Sequence, residues 1–282
     1  MNRTPYMGPE KKDRFGLIFK FSIAALILVG IIIVFYSCQL RNRPTLDLEN
    51  VKLVQYELPQ DDAPVVVFET SLGTFKAVLF PDETPEFYEY FTNLVNDGYY
   101  DGTYVFAVQD EVFFMGGSKT NDGVTDSQTD ETNFDQELSA NLWPFRGAMI
   151  AYGNETQSLF DDSVRSGSRI LFVDTVEFTE EFVAELDSVD GNEDVKTAFK
   201  NKGGVPNFSQ QYTIFGQVYD GFDTYDKICT YDVKDEENLN PIDDIKFEKV
   251  YMSTYGEHKN DQAFTVEKDE SSSQSDEISE AE

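Results

Sequence analysis

Basic residues, cysteine and histidine are scarce in this chain, and each shortage removes a class of function. Its 282 residues hold 22 Lys/Arg against 53 Asp/Glu, a formal net charge of −31. Phosphate backbones need clustered Lys/Arg, so nucleic acid is excluded as a partner. The excess negative charge reads as a solvated, soluble surface. Cys38 and Cys229 are the two cysteines, and they lie far apart in the chain. They form neither a disulfide framework nor a CxxC metal site. His258 is the single histidine and sits beside the acidic C-terminus, so a Ser-His-Asp triad and a His-rich metal site are excluded. No spaced Asp/Asn/Gly loop for Ca²⁺ occurs among the many carboxylates. Neither a metal nor a cofactor is expected.

The charge is uneven. Residues 1–43 hold seven Lys/Arg and two Asp/Glu, about +5, while the rest holds 15 basic and 51 acidic residues, about −36. Within the basic part, "FSIAALILVGIIIVFYSC", Phe21–Cys38, is 18 residues without a charge. With Lys20 snorkelling it extends back to Phe15, long enough to cross a bilayer. Arg3, Lys11, Lys12 and Arg14 precede it and Arg41 and Arg43 follow. The bias places the N-terminus in the cytoplasm and the large domain outside the cell membrane. The reading is a cytoplasmic segment 1–14, a single transmembrane helix 15–38 and a polar spacer 39–63. A cleaved signal peptide is the rival, against which the run is long and lacks a small-x-small site. Lipidation of Cys38 is a second rival, and bulky Phe35 and Tyr36 argue against it.

From Pro64 the signals become those of a folded domain, 64–258. "VVVFET" and "TFKAVLF" are strands joined as a hairpin by "SLG". "TPEFYEYFTNLVNDG" reads as a helix with Thr84 as cap, Pro85 in the first turn and Gly98 at the end. Phe87, Phe91, Leu94 and Val95 recur at helical spacing and should face the core. Strands are expected at 103–108, 111–115, 147–151, 169–173, 212–219 and 245–254. A short helix, "GFDTYDKIC", follows the strand at 212–219. A helical insertion is expected at about 178–202. Residues 259–282 read as an acidic, Ser-rich disordered tail. Many short strands with few helices imply a closed or nearly closed antiparallel barrel.

The order of these pieces resembles a known family. "VVVFETSLGTFKAVLFPDETPEFYEYFTNLVNDGYYDGT", then "MGG" at 115–117, "RGAMIAY" at 146–152, "SGSRILFV" at 166–173 and "QQYTIFGQVYDGFDTYDKI" at 210–228, is similar to a cyclophilin-type peptidyl-prolyl cis-trans isomerase over about residues 64–254. The resemblance implies a mainly β fold: an eight-stranded antiparallel barrel capped by two helices, with a substrate groove on its outer face. Proline-containing segments of secreted or surface proteins are the implied partners. The insertion resembles one in some bacterial members.

The resemblance also shows what has changed. "VFAV" stands where the family has Phe-His-Arg-Val, which puts Ala107 at the place of the catalytic Arg. Val112 and Phe113 take the places of a groove Phe and Met, and Met115 that of a Gln. Ala151 keeps an Ala, and Tyr152 replaces the Asn after it. Arg169 replaces a Gln, Leu171 a groove Phe, Phe208 a Leu and Tyr212 a His. Rotation about an X-Pro bond faces a barrier of about 18–20 kcal/mol. A preorganised donor to the twisted amide is worth about 3–4 kcal/mol of it. Alanine offers no donor. Three readings stay open: a peptide-binding module without catalysis, a weak isomerase in which Arg169 substitutes for the lost Arg, and a groove filled by ordinary packing with Met115 and Tyr152 in it.

Overall fold

A computed structural model describes residues 46–123, 132–133, 136–155, 164–234 and 239–264. The expected membrane helix at 15–38 and the tail from 265 on lie outside the described residues. Among the described residues no helix is long and apolar enough to cross a membrane.

The elements, in chain order, are β1 (Pro64–Thr70), β2 (Gly73–Leu79), α1 (Pro85–Asn96), β3 (Thr103–Gln109), β4 (Phe113–Ser118), β5 (Thr132–Asn133), β6 (Ala148–Glu155), β7 (Val164–Val173), α2 (Glu180–Ser188), α3 (Glu193–Lys202), β8 (Ile214–Asp220), α4 (Phe222–Cys229) and β9 (Ile245–Thr254). Eight strands run in the order β4-β3-β9-β1-β2-β8-β6-β7, and a β4–β7 pairing closes them into an antiparallel barrel. The two-residue β5 pairs with β7. The mainly β, closed antiparallel barrel expected from the sequence is therefore present, with four α-helices among the described residues.

Phenylalanine fills the barrel. Phe68, Phe75, Phe114, Phe172 and Phe247 come from five strands and are fully buried. Phe114 stacks on Phe172 with centroids 4.5 Å apart, and Phe68 on Phe75 at 4.8 Å. Phe172 meets Phe75 edge-on at 5.6 Å. The interior has no room for more: a Cβ on Gly116 would lie 2.5 Å from the Phe247 ring. Large rings at offset or edge-on spacing combine area burial with favourable quadrupole geometry. The run of valines in β1 is buried on both faces. Val66 points inward with Phe68, while Val65 and Val67 pack outward against Tyr219, Tyr255 and Phe264.

Helix α1 closes one side by burying Phe87, Phe91 and Val95, and Leu94 is half-buried beside them. Its cap differs from the expectation. Thr84 makes no side-chain cap bond. The Glu137 carboxylate instead accepts from the N–H groups of Glu86 (2.9 Å) and Phe87 (2.8 Å). A charged acceptor at this end satisfies two orphan donors and complements the helix dipole, which a hydroxyl cannot match. Gly221 caps helix α4 with a φ of +84°, and a Cβ there would lie 2.3 Å from the Thr74 carbonyl oxygen, so a side chain is excluded. The insertion at 178–202 is the pair α2 and α3. Asn192 caps α3, and Val195, Ala198 and Phe199 pack on Trp143 and Phe145.

Two boundaries differ from the sequence reading. Residues 46–63, read as spacer, are in part a strap bound to the domain. Val51, Leu53 and Tyr56 cover the Phe145–Phe199 cluster. Gln55 is buried, donates to the Trp143 carbonyl (2.9 Å) and to Gln217 Oε1 (2.8 Å), and accepts from the Trp143 N–H (2.7 Å). At the other end, the sequence places residues 259–264 in the acidic tail. Phe264 is nevertheless buried against Tyr219 and Tyr255, with centroids 5.6 and 5.7 Å away. Lys259 pairs with Asp61 at 2.6 Å, joining the two ends. Polar composition hid both segments because each is held by one or two large side chains rather than by a periodic pattern.

A fragment of residues 46–264 should therefore unfold cooperatively at a higher urea concentration than residues 64–254. Gln55→Ala in the longer fragment should lower stability by about 1–3 kcal/mol, because it leaves the buried Trp143 N–H without its acceptor and Gln217 Oε1 without its donor. Urea titration of the three proteins measures this, and equal midpoints would count against the strap.

Candidate peptide-binding face

Strand alternation sorts side chains into two faces, and the outer face over β3, β4, β7, β6 and β8 carries a continuous apolar row. Ala107 pairs with Met115, Met115 with Leu171, Leu171 with Ile150, and Ile150 with Ile214. All five are buried and belong to one cluster with Phe106, Leu142 and Val205. Val112, Phe113, Tyr152, Phe208 and Tyr212 lie half-buried along its edge. Phe208 and Tyr212 meet edge-on at 5.7 Å. Val54 reaches the same cluster from the strap.

A β-bulge shapes one end. The β3–β4 register steps from Val105↔Gly116 to Ala107↔Met115, so Phe106 is the extra residue. Bulges re-aim side chains. Here Phe106 and Ala107, though consecutive, both belong to the outer cluster, while Val105 and Val108 belong to the interior one. Phe106 is held on three sides. Its carbonyl accepts from Asn240 Nδ2 at 2.6 Å. Gly123, with φ +73°, backs its ring so closely that a Cβ would fall 2.4 Å from it. The Arg169 guanidinium lies over the ring, 5.5 Å from its centroid. Arg169 shares the outward parity of Leu171 on β7, whereas Ile170 and Phe172 face the interior.

The residues named from the sequence mostly converge. Val112, Phe113, Met115, Tyr152, Leu171, Phe208 and Tyr212 gather in the one cluster, with Ala107 in the row and Arg169 beside Phe106. Ala151 does not join them. Its side chain belongs to the interior cluster with Met149, because the β6 pleat turns Ile150 and Tyr152 outward instead. Val112 sits in the turn before β4 rather than in the strand: its N–H bonds to the Gln109 carbonyl (3.0 Å), and Glu111 takes a φ of +61°. Phe106, Leu142, Ile150, Val205 and Ile214 were missed. Ile150 and Ile214 were accessible through alternation, since each has Met149 or Phe215 as an inward neighbour.

No titratable group lies in the row. One set of perturbed groups surrounds Arg146, which pairs with Asp226 and with Asp174 at 3.7 Å. Burial pushes the Asp174 carboxyl upward against the opposing charge of Arg146. Burial and the nearby carboxylates of Asp174 and Asp226 also push the Cys229 thiol far up, so it is not a nucleophile. Among the described residues no group of three or more His, Cys, Asp or Glu is placed to hold a metal. Two open cavities of about 490 and 410 Å³ lie around Thr230, Tyr231 and Asp232. Only Leu239 is common to them and the apolar cluster. The row thus offers apolar contact and nearby hydrogen-bond donors rather than acid–base or metal chemistry.

Comparison with known proteins agrees with this geometry. Residues 65–252 match the family described as "Cyclophilin type peptidyl-prolyl cis-trans isomerase/CLD". A protein of Staphylococcus aureus (strain COL) named for peptidyl-prolyl cis-trans isomerase activity is 26% identical over 203 residues, covering 72% of this chain and 98% of that protein. A Staphylococcus epidermidis protein (strain ATCC 12228 / FDA PCI 1200) of the same name is 28% identical over 193 residues, covering 68% and 92%. The crystal structure of a Cryptosporidium parvum cyclophilin-type isomerase matches with a TM-score of 0.50 at 19% identity, covering 68% of this chain and 98% of that one.

Gly123→Ala should displace the Phe106 ring and destabilise the domain by about 1–3 kcal/mol, since it combines a disfavoured φ with overpacking. Thermal denaturation of the variant measures the loss. An unchanged midpoint would mean that Phe106 is not clamped as described.

Proposed function

Because the chain belongs to the cyclophilin-type peptidyl-prolyl cis-trans isomerase family, we propose that its outer apolar row binds extended, proline-containing segments of extracytoplasmic polypeptides and that catalysis there is weak or lost. The observation that carries the reading is the continuous row Ala107–Met115–Leu171–Ile150–Ile214 with its half-buried aromatic edge. Such a surface takes a pyrrolidine ring by area burial, at about 25 cal/mol per Å². Binding alone does not accelerate rotation. The amide must be held better when twisted than when planar, and that requires a donor aimed at the place where charge shifts. Ala107, at the position where the family resemblance expects Arg, supplies none. An alternative within the same surface is a module that binds without catalysis. It is supported by the burial of Met115 and Leu171 and by Tyr152 at the edge, which leave a shallow seat.

Ala107→Arg separates an intact seat from a filled one. If the seat is intact, the full chain carrying Ala107→Arg should accelerate cis–trans exchange of an Ala-Pro peptide by about 10²-fold over the wild type. Peptide-observed exchange NMR reads this directly. No gain would favour a filled seat and a purely structural face.

The extracytoplasmic placement is supported by Phe21–Cys38 and the basic residues before it. Protease added to intact protoplasts should remove the domain and leave a short anchor. Protection of the whole chain would reverse the topology.

A further inference from the structure

We propose that Gln55, in the strap, is a positioning residue for the outer face: it holds the Phe208–Tyr212 rim in place through the segment that lies between them. The proposal rests on the reading that this face binds extended, proline-containing segments. Residues 136–144 form neither helix nor strand, so contacts from other parts of the chain hold them. The strap supplies one side. Gln55 bonds to the Trp143 carbonyl (2.9 Å) and N–H (2.7 Å), and the Lys52 N–H donates to Asn141 Oδ1 (2.9 Å). Val54 packs on the cluster that contains Leu142. Asn141 passes the constraint along the segment: its N–H donates to Ser139 Oγ (2.9 Å), and its Nδ2 to Glu83 Oε1 (3.0 Å). On its other side the segment grips the rim. The Ser139 carbonyl accepts from Gln210 Nε2 (3.3 Å), and Gln136 Nε2 donates to the Gln211 carbonyl (2.7 Å). The Glu137 N–H donates to Thr213 Oγ1 (3.0 Å), and the Pro144 carbonyl accepts from the Val205 N–H (2.9 Å). The rim's own backbone bonds close single turns, Phe208 N–H to the Val205 carbonyl (2.9 Å) and Gln211 N–H to the Phe208 carbonyl (3.3 Å). Gln210 has a φ of +58°, a left-handed backbone that a residue with a side chain keeps only where its surroundings impose it. The aromatic edge therefore takes its shape from the segment behind it, and that segment takes its shape in part from Gln55.

Two measurements on the full chain in detergent test this: the affinity for an Ala-Pro tetrapeptide, and amide hydrogen exchange at Phe208 and Gln211. Wild type is compared with Gln55→Ala and with Asn141→Ala, which breaks the next link. Val95→Ala is the control, since it opens a cavity in the interior at the last turn of α1. Thermal midpoints report how far each variant is destabilised. Gln55→Ala and Asn141→Ala should each weaken peptide binding about tenfold and speed exchange at Phe208 and Gln211 more than in the barrel strands. Val95→Ala should leave affinity within about twofold and spare the rim amides, because its cavity is not part of this chain of contacts. Wild-type affinity in Gln55→Ala overturns the proposal and leaves the binding reading standing. So does an equal loss in Val95→Ala, which would reduce the effect to general instability, or weaker binding in Gln55→Ala with the rim amides unchanged. A wild type that does not bind the peptide overturns the binding reading and this proposal together.

Discussion

Five phenylalanine rings inside a closed barrel are the constraint on which the rest depends. Because Phe68, Phe75, Phe114, Phe172 and Phe247 must all point inward, the parity of each strand is set, and so is everything that points outward. A one-residue slip in any of these strands would exchange the two faces. Closure through β4–β7 matters most for the site. It brings Met115 and Leu171 into one register and so turns pieces from distant parts of the chain into a continuous row. The outer apolar row is thus a consequence of how the interior is packed.

One break in register stands at the end of the outer apolar row. Phe106 breaks the alternation of β3, and the bulge aims two consecutive side chains at the same surface. The cost is an unpaired strand residue, offset by Asn240 on its carbonyl and by the close backbone of Gly123. Titratable groups with perturbed behaviour lie elsewhere, among them Asp174 and Cys229 around Arg146 and Tyr219 and Asp220 at the end of β8. That separation suits a surface whose chemistry would be rotation about an amide bond, which asks for shape and a donor rather than for proton exchange.

Most of the fold was legible in the sequence, and its limits have physical causes. The strands of the barrel carry β-branched and aromatic runs between glycine turns, and α1 carries its apolar residues at helical spacing. Those are local signals. The cap on α1 was not local: Glu137 comes from about 50 residues downstream. The strap around Gln55 was hidden because a buried polar side chain looks solvated in a sequence. The site was legible only by resemblance, and that route assigned Ala151 to the face without regard to pleat. Alternation along β6 corrects it and would also have pointed to Ile150. The bulge at Phe106 leaves no signature in composition at all.

The strap has a mechanical meaning. The chain leading to β1 is clasped at Gln55, whose three hydrogen bonds run to Trp143 and to Gln217 on β8. Tyr56 follows immediately and wedges against Phe145, with ring centroids 5.1 Å apart. A pull applied from the N-terminal side therefore loads this buried clasp before it reaches β1. The β1 ladder, paired on both edges, is then spared the peeling geometry that opens a sheet one hydrogen bond at a time. A domain tethered by its N-terminus would transmit force through a side-chain knot on its flank, and its barrel and outer face would stay in register while the tether moves.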